Sequence, residues 1–164
     1  MSEITYVRGD ATVPSVKGVK VIAHVCNDLG GGWGKGFVLA LSRRWPEPEA
    51  AYRAWHRDRA SNDFGLGALQ LVRVKPDLWV ANMIGQRGTR TGSKGVPVRY
   101  PAIDTALARL ADHAIELGAS VHMPRIGCGL AGGKWSRVEP LVTERLVGRG
   151  VAVTVYDHGE GQRP

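Results

Sequence analysis

The stretch VKVIAHVCNDLGGGWGKGFVLAL, residues 19–41, decides how this chain folds. It opens with an apolar, β-branched run, 19–25, that reads as a buried strand. Glycines then crowd positions 30, 31, 32, 34 and 36. After them Phe37, Ala40, Leu41 and Trp45 recur at the spacing of one helical face. A strand that passes through a glycine-rich turn into a helix is a βα unit. In open α/β sheets the crevice at such strand ends is where ligands bind. Glycine lets the backbone turn tightly and lets its N–H groups approach an anion. The helix that follows adds the positive end of its dipole.

The same arrangement recurs near the other end. Gly127, Gly129, Gly132 and Gly133 follow a strand expected at 120–123 and precede a helical pattern of Val138, Leu141, Val142 and Leu146. Ser136 and Glu139 read as a capping box for that helix, with Pro140 awkwardly placed inside it. Further strands are expected at 4–7, 69–74, 79–84 and 151–156, and Pro76 and Asp77 read as a hairpin turn between the middle two. Ile103, Leu107, Leu110, Ala114 and Leu117 mark a long helix, with Pro101 in its first turn and Gly118 at its end. Ala51, Tyr52 and Trp55 mark another. Strands alternating with helices give a three-layer α/β/α sandwich around a mixed, mostly parallel six-stranded sheet.

Composition limits the function. The 164 residues, 43% hydrophobic and 23% charged, suit one globular domain over 1–164, with a core at about 4–157 and a frayed tail. No apolar run is long enough for a membrane span, and the polar start does not read as a signal peptide, so a cytoplasmic place of action is expected. Residues 89–95 read as a mobile surface loop. A net charge of +7 favours an anionic partner. Cys26 and Cys128 form neither a disulfide framework nor a zinc site and read as small hydrophobes; no metal or cofactor is expected.

Two facing glycine loops suit two phosphates or one pyrophosphate, although sharp turns alone also use such glycines. Residues 127–132 match the dinucleotide fingerprint formally, but only one strand–helix–strand unit remains beyond them. A phosphate-binding P-loop fails, because neither Lys35 nor Lys134 has the required neighbours. His24, inside an apolar run, reads as a hydrogen-bonded core residue. Trp45, Tyr52 and Trp55 read as core. The arginines form no dense run, so sequence-specific nucleic-acid binding has no support here.

Four segments resemble a known family, the macrodomains, which are ADP-ribose-binding α/β/α modules. They are residues 7–12 (VRGDAT), 24–37 (HVCNDLGGGWGKGF), 123–130 (MPRIGCGL) and 153–156 (VTVY). The third is the most specific and resembles the branch typified by terminal ADP-ribose protein glycohydrolase. The resemblance implies that Asp10, with Ala11 beside it, receives the adenine amine. It places the distal ribose and one phosphate in the first loop, at Asn27, Gly32, Trp33, Gly34, Lys35 and Gly36. The other phosphate goes to backbone N–H groups of Arg125, Ile126, Gly127, Cys128, Gly129 and Leu130. Tyr156 goes against the adenine, either there or as a core tyrosine.

Two positions depart from that branch. Its hydrolases use a lysine after the middle strand and an aspartate after the Gly-Cys-Gly-Leu string; here Gln86 and Ala131 stand at those places. Gln86 and Asn27 remain as candidate catalytic side chains. The resemblance implies a hydrolase that frees ADP-ribose from protein Glu or Asp esters without a covalent lysine step, or a module that binds ADP-ribose without turning it over. Nucleic-acid-linked ADP-ribose is the less favoured substrate.

Overall fold

The computed structural model describes residues 3–31, 33–89 and 95–157. The tail beyond Asp157, Gly32 and positions 90–94 of the expected surface loop lie outside them. Strands β1 (Thr5–Arg8), β2 (Lys20–Asn27), β3 (Leu69–Lys75), β4 (Leu78–Gln86), β5 (Ser120–Met123) and β6 (Val153–Asp157) form one sheet in the order β1-β6-β5-β2-β4-β3. All neighbours pair parallel except β3 and β4, which run antiparallel through a turn at Pro76 and Asp77. The expected six-stranded, mostly parallel sheet is the one found.

The helices are α1 (Phe37–Arg44), α2 (Glu47–Arg57), α3 (Tyr100–Leu117) and α4 (Trp135–Arg145). Alternation along β2 explains the layers. Ile22 and Cys26 pack with Leu41, Tyr52 and Trp55 of α1 and α2. Val21 and Ala23 pack with Ile103, Leu107, Val138 and Val142 of α3 and α4. Both faces of β2 are therefore covered, which is why its sequence is a continuous apolar run rather than an alternation.

One expectation fails locally. Lys134 is the N-cap of α4 and no side chain caps it, so Ser136 lies within the first turn and forms no capping box. Tertiary contacts set the start instead: the Lys134 N–H donates to the Tyr100 hydroxyl at 3.1 Å, and Glu139 accepts a hydrogen bond from the Tyr6 hydroxyl. Pro140 sits inside the helix.

Two histidines are buried in polar niches. His24 Nε2 donates to Asn82 Oδ1 at 2.5 Å, while Asn82 Nδ2 donates to the Pro48 carbonyl and to Gln70 Oε1. His122 lies between the hydroxyls of Ser120 and Tyr156, at 2.8 and 2.7 Å. Burial lowers both to about 4, with Lys20 adding to the effect at His122. Each stays neutral when folded and gains a proton when unfolded below pH 6.5. Stability is thus fully present above pH 6.5 and is lost as pH falls toward 4, with a limiting slope of about 1.4 kcal/mol per pH unit for each histidine. Urea titrations between pH 7 and 5 should show this fall, and His122→Gln should lower the slope by about one proton's worth.

Candidate functional site

The five mutually parallel strands all end at one edge of the sheet. From β2 the chain leaves toward α1, α2 and the β4–β3 side; from β5 it leaves toward α4 and β6. The direction of winding reverses between β2 and β5, and their loops diverge to opposite faces. This opens the crevice in which doubly wound sheets hold ligands. Both glycine clusters border it.

A register shift between Cys26 and Asn27 starts the first loop. Asn27 is buried, and its side-chain oxygen accepts from the Leu29 N–H and the Tyr52 hydroxyl, each at 2.8 Å. The Tyr52 oxygen also accepts from the Gly30 N–H at 3.0 Å. A Cβ at Gly30 would lie 2.1 Å from the His56 ring, and its φ is +77°, so α2 can press on the loop only where the side chain is absent. Trp33 is 5% exposed and anchors the loop from beneath. Its ring meets His24 edge-on and lies beside Tyr52, and its N–H donates to Ser42 at 2.8 Å. Gly34, Lys35 and Gly36 are exposed and lead into α1.

The second loop is equally constrained. The Gly133 N–H donates to the Gly127 carbonyl at 2.8 Å, and a Cβ on Gly133 would lie 2.2 Å from that oxygen. Ile126 and Gly127 are buried, Cys128 is half-buried and Gly129 is exposed. Gly129–Ala131, Leu130 included, form a short 3₁₀ turn. The Arg125 guanidinium grips Asp157 through two bonds, at 2.7 and 3.1 Å, and lies over Tyr6 and Trp135. Its charge is committed to the sheet, and it holds Asp157 below the usual carboxylate range. Burial pushes the Cys128 thiol up, against the pull of Arg125.

Asp10 follows the end of β1. One of its oxygens accepts the Thr12 N–H and hydroxyl at 2.8 and 2.6 Å; the other faces Arg44 at 3.4 Å. Burial raises its pKa, but these donors outweigh burial and hold it below the ordinary value. Arg44 is itself pinned to Thr12 Oγ1 at 2.7 Å. Asp10, Ala40, Arg43 and Arg44 line a cavity of about 300 Å³. Ala11 is buried beside it. Tyr156 is half-buried, with its hydroxyl tied to His122.

Gln86 ends β4 and is the register partner of Asn27. Its amide donates to the Gly88 carbonyl at 2.9 Å. Ala131 is buried in the core, and its carbonyl accepts from the Val98 N–H. Among the described residues, no group of three His, Cys, Asp or Glu side chains is arranged to hold a metal.

The structure therefore brings the described sequence candidates to one edge, with Gly32 outside the described residues. Sequence reasoning gave no site role to Thr12, Asp28, Arg44 or Asp157, and it read Tyr52 as core, which it is, without its bonds to the loop. Each acts through a partner far along the chain or through a turn specific to this loop. Only Asp10-Ala11-Thr12, an Asp two residues before a hydroxyl, carried a local signal.

No family model matches the sequence. Among solved structures, the chain is 74% identical to a macrodomain protein from Streptomyces coelicolor, over 96% of this chain and 100% of that one, with a TM-score of 0.86. It is 30% identical over 166 residues to chromodomain-helicase-DNA-binding protein 1-like of Danio rerio, which takes in 96% of this chain; the chain spans 16% of that protein's length. A Thermosipho africanus DarTG structure in complex with ADP-ribose shares the fold, with a TM-score of 0.69 at 18% identity over 89% of this chain and 39% of that one.

Tyr52→Phe should expose how the first loop is held. It removes the acceptor of the Gly30 N–H and one of the donors to Asn27, and should cost about 1–3 kcal/mol in urea unfolding. Amide exchange at Gly30 should quicken more than exchange in α3.

Proposed function

The chain belongs to the macrodomain family, and from that premise we propose that the β2/β5 crevice binds ADP-ribose and hydrolyses it from Glu or Asp esters on modified proteins. The observation that carries this reading is the convergence of two glycine loops on the switch point, with Asp10 on the same edge. The loops suit the pyrophosphate through backbone N–H groups, and the start of α1 adds its dipole. Asp10 suits the adenine amine. Tyr156 suits the base with its ring, a contact worth roughly 1–3 kcal/mol in other systems. The proposed place of action is cytoplasmic.

Catalysis in this reading needs no lysine. A protein carboxylate is a good leaving group, with a pKa near 4.3, so its departure needs little help from an acid. The oxocarbenium-like transition state needs distortion, nearby negative charge and a placed water. An amide at Gln86 cannot attack the anomeric carbon as an amine can, and a methyl at Ala131 cannot move a proton. The same two residues favour a second reading, a module that recognises ADP-ribose and leaves it intact.

Titration calorimetry with ADP-ribose should show binding, and Asp10→Ala should weaken it by roughly 1.5–3 kcal/mol. Incubation with protein carrying ester-linked ADP-ribose should release the free sugar nucleotide, and borohydride should trap no adduct on the enzyme. A trapped adduct abolished by changing one lysine would overturn the lysine-free mechanism. Binding without release from any modified protein would leave the second reading.

A further inference from the structure

We propose that Asp28 is the carboxylate that activates water in this hydrolysis, an inference that rests on the hydrolytic reading above. Asp28 follows the bulged end of β2, beside Asn27 and within the first glycine loop. It is half-buried. Its Oδ1 accepts the Gly88 N–H at 2.8 Å, which ties the first loop to the segment after β4. Gly88 in turn accepts the Gln86 amide through its carbonyl, and the Arg87 N–H is held by the Pro97 carbonyl at 2.8 Å. The carboxylate is thus oriented from the β4 side of β2, by backbone that is itself fixed.

Asp28 and Asp63 lack a cation partner among the described residues, and of the two only Asp28 stands in a glycine loop. In this chain of net charge +7, Asp10, Asp77, Asp104, Asp112 and Asp157 each pair with a lysine or arginine. One oxygen of Asp28 is oriented by Gly88 and the other keeps its lone pairs uncommitted among the described residues. That is what a general base opposite a departing group requires. Ala131 leaves the aspartate position of the resembling hydrolases empty of chemistry, and Asp28 supplies a carboxylate from the other loop.

The water oxygen bonds to the anomeric carbon of the distal ribose while Asp28 takes one water proton. The bond from that carbon to the ester oxygen breaks, and its electron pair leaves with the protein carboxylate. Asp28 then returns the proton to solvent. The products are free ADP-ribose and an unmodified Glu or Asp.

Asp28→Asn keeps an oxygen for the Gly88 N–H and removes the base. Single-turnover release should slow by about 10²-fold or more, while calorimetric affinity for ADP-ribose stays at the wild-type value. Asp28→Glu should recover part of the rate. Asp28→Ser, which also offers Gly88 an acceptor, should give the same split if the amide loosens the loop. Equal turnover in Asp28→Asn and wild type would overturn the proposal. So would a loss of affinity that accounts for the whole loss of rate, because Asp28 would then only shape the loop. Failure of the wild-type protein itself to release ADP-ribose would defeat the hydrolytic reading, and Asp28 with it.

Discussion

Parallel pairing of β2 with a neighbour on each side is the constraint on which the rest of this molecule depends. A strand paired parallel to both β4 and β5 needs crossovers on both faces, so α1 and α2 cover one side and α3 and α4 the other. It also delivers the ends of β1, β2, β4, β5 and β6 to one edge. Residues as distant as Asp10, Asn27, Gln86, Arg125 and Tyr156 gather there without any local code that names them as neighbours. Reversal of the winding direction beside β2 then opens the crevice between the loops.

The loops at that edge are glycine-rich and cannot hold themselves, because glycine contributes no side chain and much backbone freedom. Their shape is set from below. Tyr52, Trp33 and His56 hold the first loop, and the Gly127–Gly133 contact holds the second. Arg125 and Asp157 pin the second loop to β6. In this division of labour the glycine backbone forms the edge and the aromatic and charged side chains do the fixing. It also makes Trp33, which the family resemblance puts at the ligand, a buried support of the loop.

Much of the fold was legible beforehand. The six strands appeared as apolar runs, and five of them needed only shifts of one or two residues at their ends, since strand and helix periodicity are local properties of the chain. The long helix closing at Gly118 was equally plain. The capping box at Ser136 and Glu139 misled, because Tyr100 and Tyr6 compete for that region from elsewhere in the fold. Of the site, the glycine clusters, Asp10 and the Gln86 and Ala131 departures could be read from the letters alone.

The sequence by itself determined the element types, the layered class, the two glycine loops and the chemical poverty of positions 86 and 131. All of these follow from residue type and short-range spacing. Tertiary structure alone decided that Asp28 meets Gly88, that Tyr52 meets Asn27 and Gly30, that Arg44 meets Asp10 and that Arg125 meets Asp157. Those pairs lie 22 to 60 residues apart. A hydrogen bond across such a distance leaves no trace in periodicity; it exists only because the parallel sheet brings both ends of it to the same edge.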